Sequence, residues 1–250
     1  MNWEILISLI MSYLIGSIPF GWIIVWIKKH QDIRYHASGK MGTSNVIRMT
    51  DVPTGIITFF LDLFKGYAGV WVVRLIMDPA PAWMEAVGGF LAVLGHVYSI
   101  FIVEKRRDGR YYFRGGAGGM TSMGAAIALW PPVILYSGIP SLLIYFIFGY
   151  ASVATMSINV VALICFIVRA AFGLDPTWWY AVYAFFTLLL VLKALRPNIR
   201  RLRRGEERVM GFSIRGKIKA KKEAERAKSS SDKFAVSPDE EKTDQVKTRS

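Results

Sequence analysis

Long apolar runs are the feature that most constrains how this chain can fold. The 250-residue sequence is 53% hydrophobic, and its apolar residues come in runs of about twenty, enough to cross a hydrocarbon core of roughly 30 Å. A further stretch, residues 115–168, contains no charged side chain. At about 1.5 Å per residue it fits three short helices, divided at the prolines of 130–132 and at 149–152. The other predicted helices lie near 3–27, 53–77, 83–103 and 177–195.

The fold class predicted is therefore an all-α membrane protein with seven transmembrane helices. Three connecting segments, 28–48, 104–114 and 196–228, are rich in Lys and Arg, and such segments stay on the cytoplasmic side. Seven helices place all three on one side, with the N-terminus outside and the C-terminus in the cytoplasm. The first helix is expected to be retained, because Glu4 interrupts it and no basic region precedes it.

Composition changes along the chain predict three parts. Residues 1–199 form the transmembrane domain. Residues 200–228 form a basic juxtamembrane segment, expected as a helix along the membrane surface. Residues 229–250 are polar, mixed in charge and poor in aromatics, and are predicted to be disordered.

The charge and motif content exclude several functions. The net charge is +13, but much of it flanks helices, where it typically sets topology and meets anionic lipid rather than nucleic acid. The one cysteine, Cys165, lies in an apolar run and is expected to be a packing residue. Walker A, H-E-x-x-H and Cys/His cluster motifs are absent from the sequence. We expect neither a metal ion nor another cofactor.

The stretch "RYHASGKMGTSNVIR" at 34–48, in the loop before the second predicted helix, is a candidate ligand-binding segment. Its glycines let the backbone approach a ligand, and its hydroxyl and amide groups supply donors. Arg48 adds a planar, permanently charged fork that suits phosphate. The alternative is a glycine-rich connector whose cations only set topology. This stretch alone leaves both interpretations open.

A second glycine-rich stretch, "FRGGAGGMTSMG" at 113–124, opens the fourth predicted helix. Free amide protons and the positive end of the helix dipole favour an anion there. The alternative is close helix packing, because Gly115 and Gly119 have the spacing of a G-x-x-x-G contact.

Ionisable residues inside the predicted helices are further candidates. Asp62 and Lys65 lie three positions apart on one helix face, where a structural ion pair is at least as consistent as a catalytic role. His96 is more typical of a hydrogen-bonded packing residue than of a base. Asn198 and Glu206 return to the side of the two glycine stretches. The five arginines between 196 and 204 are expected to set topology and meet lipid.

Together these motifs resemble the bacterial acylphosphate-dependent glycerol-3-phosphate acyltransferase family, over most of 12–208. The helix 1 motif "GSIPFG" is at 16–21. The other matching residues are Asp32, Arg34, Ser38, Gly39, Gly42, Asn45, Arg48, Asp62, Lys65, Gly66, Gly95, His96, Gly115, Gly116, Gly118, Thr121, Ser152, Arg196, Asn198, Arg201, Leu202, Gly205 and Glu207. The family's glycine-loop lysine is Ala117 here, and its C-terminal histidine is Leu195.

The resemblance implies a seven-helix fold whose active site lies at the cytoplasmic face. The implied reaction moves an acyl group from acyl phosphate to the 1-hydroxyl of glycerol 3-phosphate, giving lysophosphatidate and phosphate in phospholipid synthesis. The implied partners are these two substrates and membrane lipid. The implied catalytic residues are Ser38, Arg48, Ser152 and Asn198. The implied phosphate-binding residues are Gly39, Gly42, Asn45, Gly115, Gly116 and Gly118, with support from Asp62, Lys65, His96 and Glu207.

The two departures from the family pattern raise a specific expectation. An inserted segment, "EKRRDGRYYFR" at 104–114, precedes the glycine loop. We expect one cation of this segment, most simply Arg114, to bind phosphate in place of the family's glycine-loop lysine, which is Ala117 here. The other cations of the segment are Lys105, Arg106, Arg107 and Arg110. The alternatives are a divergent relative acting on another phosphorylated substrate and a non-catalytic lipid-binding protein. A small transporter is disfavoured, because no charge lies across the fourth to sixth predicted helices.

Overall fold

The computed structural model describes residues 3–105, 108–174 and 178–235. These residues form ten α-helices and one antiparallel hairpin, β1 (Val103–Lys105) with β2 (Tyr111–Phe113). Single turns of 3₁₀-helix and π-helix lie at Ile33–Tyr35 and Ile134–Gly138. The helices are α1 (Trp3–Ser17), α2 (Phe20–Lys29), α3 (Thr43–Met49), α4 (Val52–Ile76), α5 (Ala82–Val97), α6 (Gly119–Leu129), α7 (Ile139–Phe148), α8 (Ala151–Ala171), α9 (Trp179–Arg203) and α10 (Ile214–Ala235).

The helices have the lengths and apolar surfaces of a membrane protein. In the described ranges, four helical segments are long and apolar enough to cross a bilayer: Trp3–Lys29, Val52–Ile76, Ala151–Ala171 and Trp179–Arg203. Three shorter apolar helices are Ala82–Val97, Gly119–Leu129 and Ile134–Phe148. The predicted breaks near 130–132 and 149–152 are present, but only two of the three predicted short helices are short, because α8 has 21 residues. By length and hydropathy, the described residues contain four candidate spans. The predicted count of seven spans therefore stays a prediction.

Helix 1 is interrupted, which the prediction of one helix over 3–27 missed. α1 ends at Ser17, and α2 begins at Phe20 directly after Pro19. Proline lacks an amide proton, so it breaks the helical hydrogen-bond ladder. The carbonyl of Ile18, left outside both helices, accepts a hydrogen bond of 2.8 Å from Lys65 Nζ on α4. The break therefore supplies a partner for a buried cation.

The third predicted helix, 83–103, is shorter than expected. α5 ends at Val97, and residues 98–102 turn into the hairpin. Ser99 Oγ accepts a hydrogen bond from the amide of Phe101 and donates one of 2.6 Å to the carbonyl of Ser17. Such local side-chain bonds compete with continuation of a helix. The inserted segment consequently forms a hairpin outside the helical bundle.

The C-terminal boundaries also differ from the predictions. α9 continues to Arg203 rather than ending near 195, with basic residues in its last turn that suit the negative end of the helix dipole. The basic segment is helical from Ile214, and α10 extends to Ala235, past the predicted start of the disordered tail. The rest of that predicted tail, 236–250, lies outside the described residues.

Small residues bring the central helices close together. α4 and α6 meet where Gly66 lies against the carbonyl of Thr121 and Gly124 lies against the carbonyl of Leu63. A Cβ atom at either glycine would collide with backbone, so these contacts require glycine. Large side chains such as Phe60 and Phe64 point outward and are exposed. The core is thus closely packed and the outer face apolar.

Candidate active site

The loop between α2 and α3 is held together by one buried amide. Asn45 Oδ1 accepts from the amide of Ser38 at 3.3 Å, and Asn45 Nδ2 donates to the carbonyls of His36 and Lys40 at 3.3 and 2.8 Å. Both N–H bonds of Nδ2 are therefore used within the loop. Asn45, predicted to bind phosphate, fixes the backbone around Ser38 and Gly39.

Lys40 connects this loop to α9. Its Nζ atom donates to the carbonyl of Ala194 and to Asn198 Oδ1, both at 2.8 Å. Burial and the nearby Arg201 lower the pKa of Lys40 to about 8, and Glu207 partly opposes this shift. The contact brings the predicted site residue Asn198 to the Ser38 loop.

Glu207 gathers the C-terminal part of the site. Its Oε1 accepts from Asn198 Nδ2 at 2.8 Å and from Ser152 Oγ at 3.3 Å, and its Oε2 accepts from Arg201 Nε at 3.0 Å. The carboxylate side chain is only 4% exposed. Ser152 lies in the first turn of α8 and Asn198 lies five residues before the end of α9, so this one carboxylate connects the two helices.

Arg48, on α3, faces the same group of charges. Burial lowers its pKa, and its electrostatic neighbours are Tyr145, Arg208, Glu207 and Arg201. A guanidinium nevertheless stays charged at neutral pH. Arg208 Nη1 is buried and has no hydrogen-bond partner among the described residues.

We call Lys40, Arg48, Arg201, Arg208 and Glu207 the charge cluster. It contains four cations and one carboxylate, an excess of positive charge beside the hydroxyl of Ser152 and the amide of Asn198. Partly buried positive charge with nearby donors is the usual arrangement of a phosphate site. The structure brings the predicted residues Arg48, Ser152 and Asn198 together around Glu207, and their catalytic roles stay predictions.

The glycine loop before α6 packs closely against α5. Gly116 donates to the carbonyl of His96 at 3.0 Å, and a Cβ atom at Gly116 would collide with the His96 ring. Gly115 lies against the carbonyls of His96 and Val97, and Gly118 has a φ of +92°. These contacts support the packing interpretation. The predicted role of Gly115, Gly116 and Gly118 in phosphate binding stays a prediction.

Below this loop lies a buried ionic group formed by Asp62, Lys65 and His96. Lys65 Nζ is 2.9 Å from Asp62 Oδ1, and His96 Nδ1 is 3.6 Å from the same oxygen. All three side chains are at most 5% exposed. They line a small cavity with Met41 and Gly116, so they support the two loops from beneath. This placement favours the structural interpretation of the ion pair and the histidine.

The hairpin places Arg114 beside the first loop. Its Nε is 2.7 Å from Glu104 Oε2, and its Nη1 donates to the carbonyl of Arg34 at 3.3 Å, next to Gly39. Its charge is thus matched by a carboxylate, and its role in phosphate binding stays a prediction. Arg106 and Arg107 lie outside the described residues. Gly42 precedes α3 with open space around it.

Four features of the site were missed or misassigned from sequence. Lys40 lies inside the quoted glycine stretch, but nothing local marks its contact with α9. Tyr145, whose hydroxyl is 2.9 Å from Ser44 Oγ, lies in an apolar helix and gave no signal. Glu206 is exposed, and its neighbour Glu207 occupies the site instead. Arg201 binds Glu207 rather than only meeting lipid.

The part of the chain that the structure describes contains no group of three or more His, Cys, Asp and Glu side chains placed to hold a metal ion.

Comparison with known proteins relates this geometry to one family. Residues 6–205 match the family model described as glycerol-3-phosphate acyltransferase. A glycerol-3-phosphate acyltransferase of Staphylococcus aureus (strain bovine RF122 / ET3-1) is 32% identical over 209 residues, covering 81% of this chain and 96% of its own. The corresponding protein of strain JH9 is 31% identical over the same length, with the same coverage.

Solved structures agree with the sequence comparison. PlsY (YgiH), an integral membrane glycerol 3-phosphate acyltransferase, superposes in its glycerol 3-phosphate form with a TM-score of 0.72 at 30% identity, covering 83% of this chain and 96% of its own. Its lysophosphatidic acid form gives a TM-score of 0.70 at 29% identity. With its apolar helices, the chain is a multi-pass membrane protein. The chain belongs to the glycerol-3-phosphate acyltransferase family.

Proposed function

We propose that this protein transfers an acyl group from acyl phosphate to the 1-hydroxyl of glycerol 3-phosphate. The products are lysophosphatidate and inorganic phosphate, and the reaction belongs to phospholipid synthesis. Family membership supports the acceptor and the reaction class. The observation that carries the proposal is the charge cluster, because four cations around one carboxylate suit substrates that both carry phosphate.

The chemistry requires orientation and charge stabilisation more than a covalent intermediate. The 1-hydroxyl oxygen attacks the acyl carbonyl carbon, and the bond from that carbon to the phosphate oxygen breaks. The phosphate leaves with the bonding electrons, and the hydroxyl proton ends on phosphate. An acyl phosphate is already an activated mixed anhydride. Positioning of the two substrates and stabilisation of the developing oxyanion therefore supply the catalysis.

The site residues take distinct roles in this proposal. Arg48 holds a phosphate through charge-assisted hydrogen bonds. Ser38, Ser152 and Asn198 supply neutral donors around the reacting groups. Glu207 positions Ser152 and Asn198, since it accepts a hydrogen bond from each.

The deciding experiment is a transfer assay with the purified protein. Acyl phosphate, acyl-CoA and acyl carrier protein are offered in parallel, and lysophosphatidate and phosphate are quantified. We expect transfer from acyl phosphate alone. Transfer from another donor, or none at all, contradicts the proposal.

A second candidate is a relative that has lost this reaction, and Ala117 and Leu195 are the reason to consider it. Leu195 is 2% exposed and apolar. An inactive wild type that gains transfer with Ala117→Lys and Leu195→His supports this candidate. Activity of the wild type excludes it.

We also propose seven spans, with the N-terminus outside and the C-terminus and active site on the cytoplasmic side. The support is the three basic segments, 28–48, 104–114 and 196–228, which seven crossings bring to one side. Tags at both ends, with protease access measured in oriented vesicles, test this orientation. If both tags are cleaved, or both are protected, the two termini lie on the same side of the membrane, and seven crossings are excluded.

A further inference from the structure

Lys40 has an unusual environment for a lysine. Its ammonium contacts two neutral acceptors, the carbonyl of Ala194 and the amide oxygen of Asn198. A partly buried ammonium is normally paired with a carboxylate, because desolvation of an unpaired charge is costly. The carboxylate within its electrostatic range, Glu207, already bonds Arg201.

The charge of the ammonium is therefore not neutralised by a bonded carboxylate, and one of its N–H bonds has no acceptor among the described residues. An ammonium has three N–H bonds, and the two contacts of Lys40 use two of them. Neutral acceptors do not cancel its charge, and Arg201 makes its surroundings more positive. One N–H direction of the ammonium is therefore left for a further acceptor, and the uncancelled charge favours an anion there.

Hydrogen bonds hold the backbone on both sides of Lys40 in place. Asn45 fixes the segment from His36 to Lys40, and the amide of Met41 donates to the carbonyl of Gly115 at 3.5 Å. Lys40 consequently stands where the first loop meets the glycine loop and α9. A lysine ammonium is a compact point charge on a flexible stem, and it binds phosphate in that form.

We propose that the Lys40 ammonium is a phosphate-binding group of the active site, which supplies the cation that position 117 lacks. It takes a substrate phosphate as its third hydrogen-bond partner. This inference rests on the proposed function for the identity of the phosphate, but not for the binding itself. The phosphate belongs to either acyl phosphate or glycerol 3-phosphate, and the KM measured for each substrate distinguishes them.

The main test compares Lys40→Met with the matched control Lys29→Met, since Lys29 is exposed at the end of α2. We expect Lys40→Met to raise the KM for one of the two phosphate substrates by about 10- to 100-fold, the usual range for one charge-assisted hydrogen bond. The substrate whose KM rises is the one that Lys40 binds. Lys40→Arg keeps the charge and should recover part of the affinity. Lys29→Met should behave as wild type.

A binding measurement without turnover separates this inference from the proposed function. Thermal unfolding of the wild type in detergent is followed with increasing glycerol 3-phosphate or inorganic phosphate. Bound ligand stabilises the folded state. We expect this stabilisation in the wild type and in Lys29→Met, and its loss in Lys40→Met. Stabilisation of the wild type and Lys29→Met but not of Lys40→Met, together with no acyl transfer by the wild type, supports the role of Lys40 and contradicts the proposed function.

A pH series gives a readout that a purely structural lysine would not move. The amine of Lys40 has a pKa of about 8 in the free protein, with Arg201 and Glu207 as its charged neighbours. Phosphate affinity should therefore fall as the pH rises through about 8 in the wild type. In Lys40→Arg it should stay constant over that range. Equal KM values, equal phosphate stabilisation and equal pH profiles in wild type and Lys40→Met overturn the proposal.

Discussion

Replacement of Glu207 by glutamine tests whether one carboxylate organises the active site. The substitution keeps the size of the side chain but removes the charge and converts one acceptor oxygen into a donor. The carboxylate accepts hydrogen bonds from Asn198, Ser152 and Arg201 at 2.8, 3.3 and 3.0 Å. When the amide oxygen keeps the first two contacts, its NH₂ group faces the Nε donor of Arg201.

The expected loss of stability follows from these contacts. A hydrogen bond to a charged group contributes about 1.5–3 kcal/mol. Arg201 is 29% exposed, so solvent screening lowers this share to about 1–2 kcal/mol. The charge cluster also loses its only carboxylate, which brings the expected cost to about 2 kcal/mol. For a chain of this size that lowers the Tm by about 4–8 °C.

The kinetic effect should appear in kcat more than in KM. Ser152 and Asn198 lose the group that orients them, and small misplacements in a site cost about 10- to 100-fold in rate. Misplaced donors should weaken substrate binding, but removal of the negative charge of Glu207 strengthens the attraction of the remaining cations for phosphate. Because these two effects oppose each other, the KM should change by less than about threefold.

The assays are thermal unfolding in detergent and steady-state acyl transfer. Glu206→Gln is the matched control, because the neighbouring carboxylate is exposed. A Glu207→Gln variant with the Tm and kcat of Glu206→Gln would refute the role assigned to Glu207.

Three further substitutions test other parts of the site. Arg48→Ala should raise the KM for a phosphate substrate about 10- to 100-fold, with partial recovery in Arg48→Lys; unchanged kinetics in a folded alanine variant would return the loop to a connector role. Asp62→Ala leaves the Lys65 ammonium buried and should lower the free energy of unfolding by about 3–5 kcal/mol in detergent; a wild-type Tm would contradict this. Arg114→Ala decides between the phosphate role predicted for Arg114 from sequence and the role proposed for Lys40: because Glu104 already matches the charge of Arg114, we now expect the KM to change by less than about threefold, whereas a rise above about tenfold would support the sequence prediction.

Hydropathy and proline placement were sufficient to predict the helical class and the breaks that divide 115–168 into three helices, although the third, α8, is long. These signals are local, since a run of apolar residues or a missing amide proton acts within a few residues. The same reasoning missed the break at Pro19, because an apolar window averages over a single proline. It also missed the end of α5, where the hydroxyl of Ser99 decides the turn.

The candidate site was predicted in part. The family resemblance implied that Arg48, Ser152 and Asn198 share one site, and the structure places all three beside Glu207, while their catalytic roles stay predictions. Lys40 was not identified, because its role depends on the position of α9, which no local pattern encodes. Tyr145 was missed for the same reason, since its hydroxyl contact with Ser44 joins two helices far apart in sequence.

The bridge from Lys40 to α9 has a consequence for biosynthesis. The ammonium and its partner Asn198 are 158 residues apart in the chain, so the first loop leaves the ribosome long before either acceptor on α9 exists. A nascent or truncated chain that ends before residue 194 can insert its early helices but lacks both acceptors and Glu207. The charge cluster can therefore assemble only after α9 and the segment that carries Glu207 have been synthesised.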